Sequence, residues 1–517
     1  MGIRTVEPVA NAPDAEPKIP RPQVPANLQR WDTIFVIILF AAAIAKLWLL
    51  PLRNGFWLDE TGTAWAASGR LKDVYNHTIA WPSQTPLYSL ICWVAIQIGG
   101  MHEIVLRLPS LVGMLIGVFA LYRIGLRLLN REAAIIAALG CICSEAVYFA
   151  AADARPYALG TAGVIISTYY LIDWLDRRRM SSAIYYALAL SFTIHMQYVF
   201  GTVVALHAVY AAARGRRGQL PPPGQCWLSA GIFAATLAFA IPHFVATFIT
   251  RRTHSFVGPP VVLDLWSTIA PALLLGSVLL AVVLVACVHR IPRFHLPSVP
   301  FSTGTLIAAW AVLPGLLLFL ASVLLSLGLF MPRYTLTAVP GVALLVGWLV
   351  SALEPKLVRR LVASCIVVAA IFSSGGLLHP SHAGDWRRAV QVANSAIAGP
   401  ETPVLVRSGF IESAFLDYHE GAPHSDELFA PLVVYPLRGK LIRLSYGFGA
   451  GDVPYLRDIA SSSLTRVNRF VFITSGDDSY EYWLLGHLSE DGFHIERTTR
   501  VGGAKDTLRV LVFGRRS

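Results

Sequence analysis

An α-helical polytopic membrane protein with a small α/β domain at its C-terminal end is the fold class this sequence predicts, and three observations carry the prediction. Apolar stretches of about 15 to 26 residues recur as far as residue 378, most of them near the roughly 20 residues that span a bilayer. Over the 517 residues, 55% are hydrophobic and 14% charged, and the mean hydropathy is +0.57, outside the balance of soluble domains. Beyond residue 379 the hydropathy falls, and strand-like and helix-like patterns alternate.

The net charge is +11 and the isoelectric point about 9.5. The basic residues occur in short clusters between apolar runs, not in one stripe, which points to cytoplasmic loops and anionic lipid rather than nucleic acid. All six cysteines (Cys92, Cys141, Cys143, Cys226, Cys287 and Cys365) lie in or beside apolar segments, so neither a disulfide framework nor a CxxC metal pattern is implied. Residues 1–30, rich in Pro and Ala and without periodicity, read as a disordered cytoplasmic arm. The first apolar run, Thr33 to Leu50, is too long and too far from the start for a cleavable signal and reads as an uncleaved span.

Five basic clusters set the topology: Arg123/Arg127/Arg131, Arg177/Arg178/Arg179, Arg214/Arg216/Arg217, Arg290/Arg293 and Lys356/Arg359/Arg360. Short loops with such an excess stay cytoplasmic. Spans then fall near 33–51, 107–122, 132–150, 157–173, 183–197, 199–213, 227–248, 266–288, 304–329, 335–352 and 361–377, eleven in all. The N-terminus is placed inside and the C-terminus outside. If Pro86 to Gly99 also crossed, every later cluster would move to the outer side, so this stretch is expected to be an interfacial or re-entrant helix, with Tyr88 and Trp93 at headgroup level. Residues 182–213 read as two short helices hinged near His195 to Tyr198. The resulting division is a transmembrane domain over 31–378, whose first outer loop is 52–106, and an extracytoplasmic domain over 379–517.

That topology gathers the candidate chemistry on the outer side. In FWLDETGTAWAASGR, Asp59 and Glu60 follow the first span closely; a carboxylate there could deprotonate an acceptor hydroxyl or hold a divalent cation against a phosphate, and the bland reading is loop solvation. In YFAAADARPYAL, Asp153 and Arg155 sit at helix-end depth, either as a structural pair or with Arg155 offering its planar fork to a phosphate. Arg333, in FMPRYTL, and Arg251, Arg252 and His254 lie at the outward ends of two other spans, as phosphate ligands or as snorkelling groups. His195, in an apolar hairpin, reads first as a satisfied buried histidine.

The order of these segments resembles the integral-membrane glycosyltransferases of the GT-C fold, especially the bacterial branch related to protein O-mannosyltransferases and lipid A aminoarabinose transferases. The resemblance runs over about residues 31 to 350 and rests on FWLDET (56–61), QTPLYSL (84–90), EIVLRLPSLVGMLIGVFALYRIGLRL (103–128), ARPYAL (154–159) and PRYTLTAVPG (332–341). It implies that Asp59 is the catalytic acid of the first loop, with Glu60 beside it and Asp153 supporting from the second loop. It implies Arg155, Tyr157, Arg333, Tyr334, Tyr88, Arg251 and Arg252 as substrate-binding groups. Where relatives often read His-Pro-Pro-Leu-Tyr, this chain has Gln84-Thr85-Pro86-Leu87-Tyr88, and His77 is the nearest substitute for the missing histidine. The implied reaction moves a sugar, with inversion, from a polyprenyl phosphate to a lipid, glycan or protein acceptor at the outer face of a bacterial inner membrane. A divalent cation (Mg or Mn) held by Asp59 and Asp153 is compatible with it, since relatives differ in needing one.

The C-terminal segment shows a helical pattern at 385–398, a strand at 402–408, another at 469–476, a helix at 479–492 and a last strand at 507–515, which together read as a small α/β domain without a nucleotide fingerprint. Two other functions fit the bulk composition. A transporter or flippase of lipid-linked sugars would show internal repeats, and none is visible; a polysaccharide ligase or polymerase would place its large loop late, whereas here it comes first.

Overall fold

The computed structural model describes residues 26–82, 85–250, 257–288, 292–375, 384–415, 418, 426–476, 478–503 and 506–516. Most of the expected arm, 1–25, and the expected domain boundary at 378/379 lie outside them. The backbone is already helical from Ala26: α1 (Ala26–Ala43) continues through a π-helical turn (Ile44–Leu49) and a 3₁₀ turn (Leu50–Arg53) into one apolar rod. The first loop folds as α2 (Leu58–Ala66), α3 (Leu71–Ala80) and α4 (Pro86–Gly99). At 14 residues α4 is about 21 Å long, shorter than the ~30 Å hydrocarbon core.

Beyond it come α5 (Glu103–Leu128), then α6 (Arg131–Cys143) and α7 (Glu145–Ala151), bent by 68° at Ser144, then α8 (Tyr157–Arg177). The hinge expected near His195 to Tyr198 is a real break: α9 (Met180–Met196) ends at extended Gln197, and a 3₁₀ turn leads into α10 (Val203–Gly215). Two further bent pairs follow, α11 (Pro223–Ala238) with α12 (Ile241–Ile249) at 57°, and α13 (Val262–Ile269) with α14 (Ala272–Val288) at 55°. The bundle closes with the short strand β1 (Arg293–Phe294), α15 (Phe301–Leu325), α16 (Pro332–Thr335), α17 (Val339–Ser351), strand β2 (Leu353–Glu354) and α18 (Lys356–Ser373). Each of the eleven expected stretches is helical over most of its described residues. Among the described residues, five rods are long and apolar enough to cross a membrane as single helices, and eight if each bent pair is one span. α9, α10 and α18, at 17, 13 and 18 residues, also lie in expected spans but are not among those eight.

The bundle has two chemically different ends. At one, Arg127 pairs with Asp173 (3.0 Å) and Asp176 (2.7 Å), Arg177 with Asp173 (3.1 Å) and Arg214 with Asp176 (2.6 Å). Arg359 pairs with Glu132 and Arg360 with Asp32, while Arg293 on β1 stands opposite Glu354 on β2. The described members of the five basic clusters therefore share one end. Small residues bring the helices close between the ends, as is usual in membranes. A Cβ on Gly347 of α17 would strike the Ala133 carbonyl of α6 and lie 3.1 Å from the Ala137 nitrogen; one on Gly117 of α5 would lie 2.9 Å from Ala162 Cα of α8.

At the other end sits the C-terminal domain. It contains α19 (Trp386–Ala396), β3 (Pro403–Arg407), α20 (Ala430–Val434), β4 (Lys440–Leu444), α21 (Asp452–Ile459), β5 (Arg469–Ser475), α22 (Ser479–Leu488), β6 (Phe493–Gly503) and β7 (Asp506–Arg515). The sheet order is β4-β3-β5-β7-β6, parallel among the first three and antiparallel thereafter. Alternation along the strands buries both faces: Val404, Val406, Val471 and Ile473 meet Trp386 and Ala389, and Leu405, Phe470 and Phe472 meet Leu456 and Leu484. The first of these cores continues into Trp65, Ala66 and Trp81 of the first loop, so that loop is sandwiched between bundle and domain.

Overpacking in such a close crossing typically costs 1–3 kcal/mol. Gly347→Val is expected to destabilise the detergent-solubilised protein by about 2 kcal/mol, read as a lowered unfolding midpoint, whereas Gly231→Val, at a position where a Cβ meets nothing, leaves the midpoint near wild type.

Candidate active site

The chain leaves the first rod extended, and Trp57 (φ −85°, ψ 175°) precedes α2. Its N–H donates to Glu60 Oε2 (3.2 Å), the return bond that starts a helix three residues upstream of an acid. Asp59 and Glu60 thus occupy the first turn, where the helix dipole favours negative charge. Successive residues point about 100° apart, and the two carboxylates leave α2 in different directions.

Glu60 is 1% exposed and turns inward. Arg107 of α5, equally buried, donates to both its oxygens, from Nε to Oε1 (2.6 Å) and from Nη2 to Oε2 (2.5 Å). The Ala154 amide donates a further bond to Oε1 (2.8 Å). The same guanidinium donates to the carbonyls of Leu52 (3.0 Å), Asn54 (2.7 Å) and Gly55 (3.1 Å). One buried ion pair therefore joins the first rod, α2, α5 and the turn before α8. Arg107 was not among the sequence-derived site residues. The available signal was an arginine amid the apolar residues of EIVLRLPS, a costly group at that depth unless it has a partner.

Asp59 points away from that pair and stays 20% exposed at its side chain. Arg333 Nη1 donates to its Oδ2 at 2.9 Å, and Arg155 Nη2 lies 3.9 Å from the same oxygen. Arg155 also donates to the Asp59 carbonyl (3.3 Å). Both guanidinium groups pack on tyrosines: Arg155 and Arg333 lie 5.7 Å and 5.9 Å from the Tyr157 ring, and Arg333 lies 5.4 Å from that of Tyr334. Among the described residues, the Nε–H groups of Arg155 and Arg333 are buried without an acceptor. Two cations with unspent donors beside a half-open carboxylate form a site suited to an oxyanion.

Asp153, 2% exposed, accepts from the Trp57 indole at Oδ1 (2.9 Å), while Oδ2 is buried with no partner among the described residues. Burial first, then the Glu60 and Asp59 carboxylates, hold its carboxyl well above the usual aspartate range, against the Trp57 bond and Arg155. Among the described residues, the remaining expected side chains make no hydrogen bond or ion pair with Asp59. The Tyr88 hydroxyl is buried against Ser110 (3.4 Å), which in turn donates to the Arg155 carbonyl (3.1 Å), so Tyr88 buttresses the second loop. His77 stacks on Trp65 (4.2 Å), and among the described residues no hydrogen bond or ion pair joins it to Asp59. His195, expected to be buried, is half-buried and lies 3.0 Å from the Thr236 carbonyl, which satisfies it. Arg251, Arg252 and His254, like Gln84, lie outside the described residues.

A divalent cation does not fit this donor set. The Asp59 carboxylate already meets two guanidinium groups, Asp153 has one oxygen on Trp57, and Glu60 is consumed by Arg107. Among the described residues no three His, Cys, Asp or Glu side chains gather as metal ligands.

Residues 83–256 match the family described as dolichyl-phosphate-mannose-protein mannosyltransferase. No curated protein matches the sequence. Among solved structures, apo ArnT from Cupriavidus metallidurans is 14% identical, covers 94% of this chain and 98% of its own, and superposes with a TM-score of 0.51. ArnT bound to undecaprenyl phosphate gives 14% identity, the same coverage and a TM-score of 0.50. The chain thus has the GT-C fold that its motifs led us to expect, and coverage this high takes in both the bundle and the C-terminal domain.

Two outcomes follow for stability. Removing one partner of a buried ion pair strands the other charge, so Glu60→Gln and Arg107→Met should each cost about 3–5 kcal/mol, read as a fall in the unfolding midpoint. For Asp153, whose folded pKa lies above its ordinary 3.8, the folded state holds more protons in the interval between the two values. Its contribution is therefore full below about pH 4 and is lost as pH rises toward the folded value. Asp153→Asn, which keeps an acceptor for Trp57, should flatten that decline in a pH series of unfolding midpoints.

Proposed function

We propose that this protein is a membrane glycosyltransferase that moves a sugar from a polyprenyl phosphate to an acceptor hydroxyl of an envelope lipid, glycan or protein. The observation that carries the reading is the meeting of Asp59 with Arg155 and Arg333 at the end of the bundle opposite the basic clusters. The GT-C fold supports it, as does the match to a family named for a dolichyl-phosphate-mannose donor. So does the structural neighbour that binds undecaprenyl phosphate.

In this reading the five basic clusters face the cytoplasm of a bacterial cell, so eleven spans place the C-terminal domain and the site on the outer side of the inner membrane. Asp59 is the general base. Among the described residues its Oδ1 carries no hydrogen bond, which leaves one lone-pair face for an acceptor proton. The acceptor oxygen bonds to the anomeric carbon from the face opposite the phosphate. The bond from that carbon to the phosphate oxygen breaks, the electron pair leaves with the lipid phosphate, and the configuration inverts. Arg155 and Arg333 stabilise the charge gathering on the departing phosphate through donors already oriented and partly dry. Tyr157 and Tyr334 hold those guanidinium planes, and Asp153 fixes Trp57 before α2. Glu60, with its oxygens taken, orients α2 rather than moving a proton.

Membranes carrying wild type or Asp59→Asn, supplied with radiolabelled polyprenyl-phosphate sugars and envelope extract, test this. Asp59→Asn is expected to lower transfer about 10²–10⁴-fold while still folding; transfer at the wild-type rate would remove Asp59 from the role. Consumption of no donor, with labelled lipid changing leaflet in vesicles, would favour the transporter instead. Arg333→Ala should lower kcat about 10²–10³-fold, and a reporter fused after Ser517 should be active on the outer side only.

A further inference from the structure

The four residues that lead into Asp59's helix are held from two sides. From the bundle, Arg107 donates to the carbonyls of Asn54 and Gly55. From the C-terminal domain, Asp385 accepts the Gly55 amide (3.3 Å), the Trp386 amide donates to the Phe56 carbonyl (3.1 Å) and Arg387 donates to the Arg53 carbonyl (2.8 Å). Tyr435 accepts the Phe56 amide at its hydroxyl oxygen (3.1 Å) and donates its own proton to Glu103 Oε1 (2.7 Å). Arg387 pairs with the same Glu103 oxygen at 3.2 Å. Every backbone donor and acceptor of Gly55 and Phe56 is thereby engaged, the donors wholly by the C-terminal domain.

Space agrees with the hydrogen bonds. A Cβ on Gly55 would run into the Asp385 carboxyl, with Cγ at 2.7 Å, and would lie 2.9 Å from Arg387 Cβ. One on Gly409 would meet Leu58, the first residue of α2, with Cδ2 at 2.6 Å. Leu58 itself packs on the core shared by the domain and the first loop. A domain merely tethered outside the membrane would have no need of main-chain contacts this close.

We propose that the C-terminal domain positions the catalytic acid: Asp385, Arg387 and Tyr435, anchored on Glu103, hold residues 53–56 and so fix where α2 presents Asp59. The inference rests on the reading of Asp59 as general base. Tyr435, Asp385, Arg387 and Glu103 are positioning residues in this scheme, acting through the backbone that precedes the acid. Displacing a reactive group by about 1 Å costs on the order of 10²-fold in rate, so a loosened loop registers in turnover before it registers in donor affinity.

The test uses the full chain in detergent or membranes. Tyr435→Phe removes both hydroxyl bonds without changing the ring; it is expected to lower kcat about 10- to 100-fold with the donor KM within about threefold, and to speed amide hydrogen exchange in 54–60. Glu103→Ala should behave likewise, and Glu103→Gln, which keeps an acceptor for Tyr435, should recover most of the rate. Arg469→Ala, which removes a surface pair with Glu496 elsewhere on the sheet, should change neither readout. Unaltered exchange in Tyr435→Phe, faster exchange with unaltered kcat, or a rise in KM alone would each overturn the proposal. If wild type transfers from no donor while exchange at 54–60 still responds to Tyr435→Phe, the reading of Asp59 as base falls and the hold of the domain on the loop stands.

Discussion

The buried pair between Glu60 and Arg107 is the constraint on which the site depends. Two ions out of water are tolerable only when their remaining donors and acceptors are filled, and here the filling is done by the backbone of 52–55 and by the Ala154 amide. The requirement fixes the end of the first rod, the start of α2, the face of α5 and the turn before α8 relative to one another. Adjacent acids on one helical turn can then have opposite fates. One is neutralised inside the structure, and the other is left at the surface of the site with cations around it and an open oxygen.

Charge is also divided along the bundle. The basic clusters of the loops meet acids of their own end, so that Asp173 and Asp176 are shared among Arg127, Arg177 and Arg214. At the opposite end Arg155 and Arg333 converge on a single carboxylate and lie over tyrosine faces. That arrangement leaves their Nε–H groups unspent. Surplus positive charge in loops fixes orientation, whereas surplus donors on planar, ring-supported guanidinium groups are what a phosphate needs.

Much of this was legible in the sequence because apolar length and basic clusters are local signals. The helical stretches, the break near Gln197, the short α4 and three strands of the C-terminal sheet were all expected. The two strands that were not, β4 and β6, lack the signal: Lys440–Leu444 is five residues with charge at two of them, and Phe493–Gly503 carries Glu496, Arg497 and Arg500 along a sheet edge. Arg107 escaped notice because its partner lies 47 positions away and nothing in EIVLRLPS names it. Glu60 looked equivalent to Asp59 for the same reason: residue type and spacing do not say which way a side chain turns. His77 is engaged by Trp65, whose ring is a better surface for the imidazole than open solvent.

The sequence separations of these contacts also set an order in time. A ribosome adds about 5–20 residues each second, and the bonds to Asp59 and its lead-in join residues 47, 274, 330 and 379 apart when counted as Glu60 to Arg107, Asp59 to Arg333, Gly55 to Asp385 and Phe56 to Tyr435. Glu60 can find its partner within seconds of emerging. Asp59 waits for Arg333 for on the order of tens of seconds, with most of the bundle inserted in between, and the lead-in residues wait longer still. An unfinished chain therefore already shelters the acid whose exposure would be most damaging to folding, while the acid proposed for chemistry, which meets Arg155 earlier, gains Arg333 only after most of the bundle has been made.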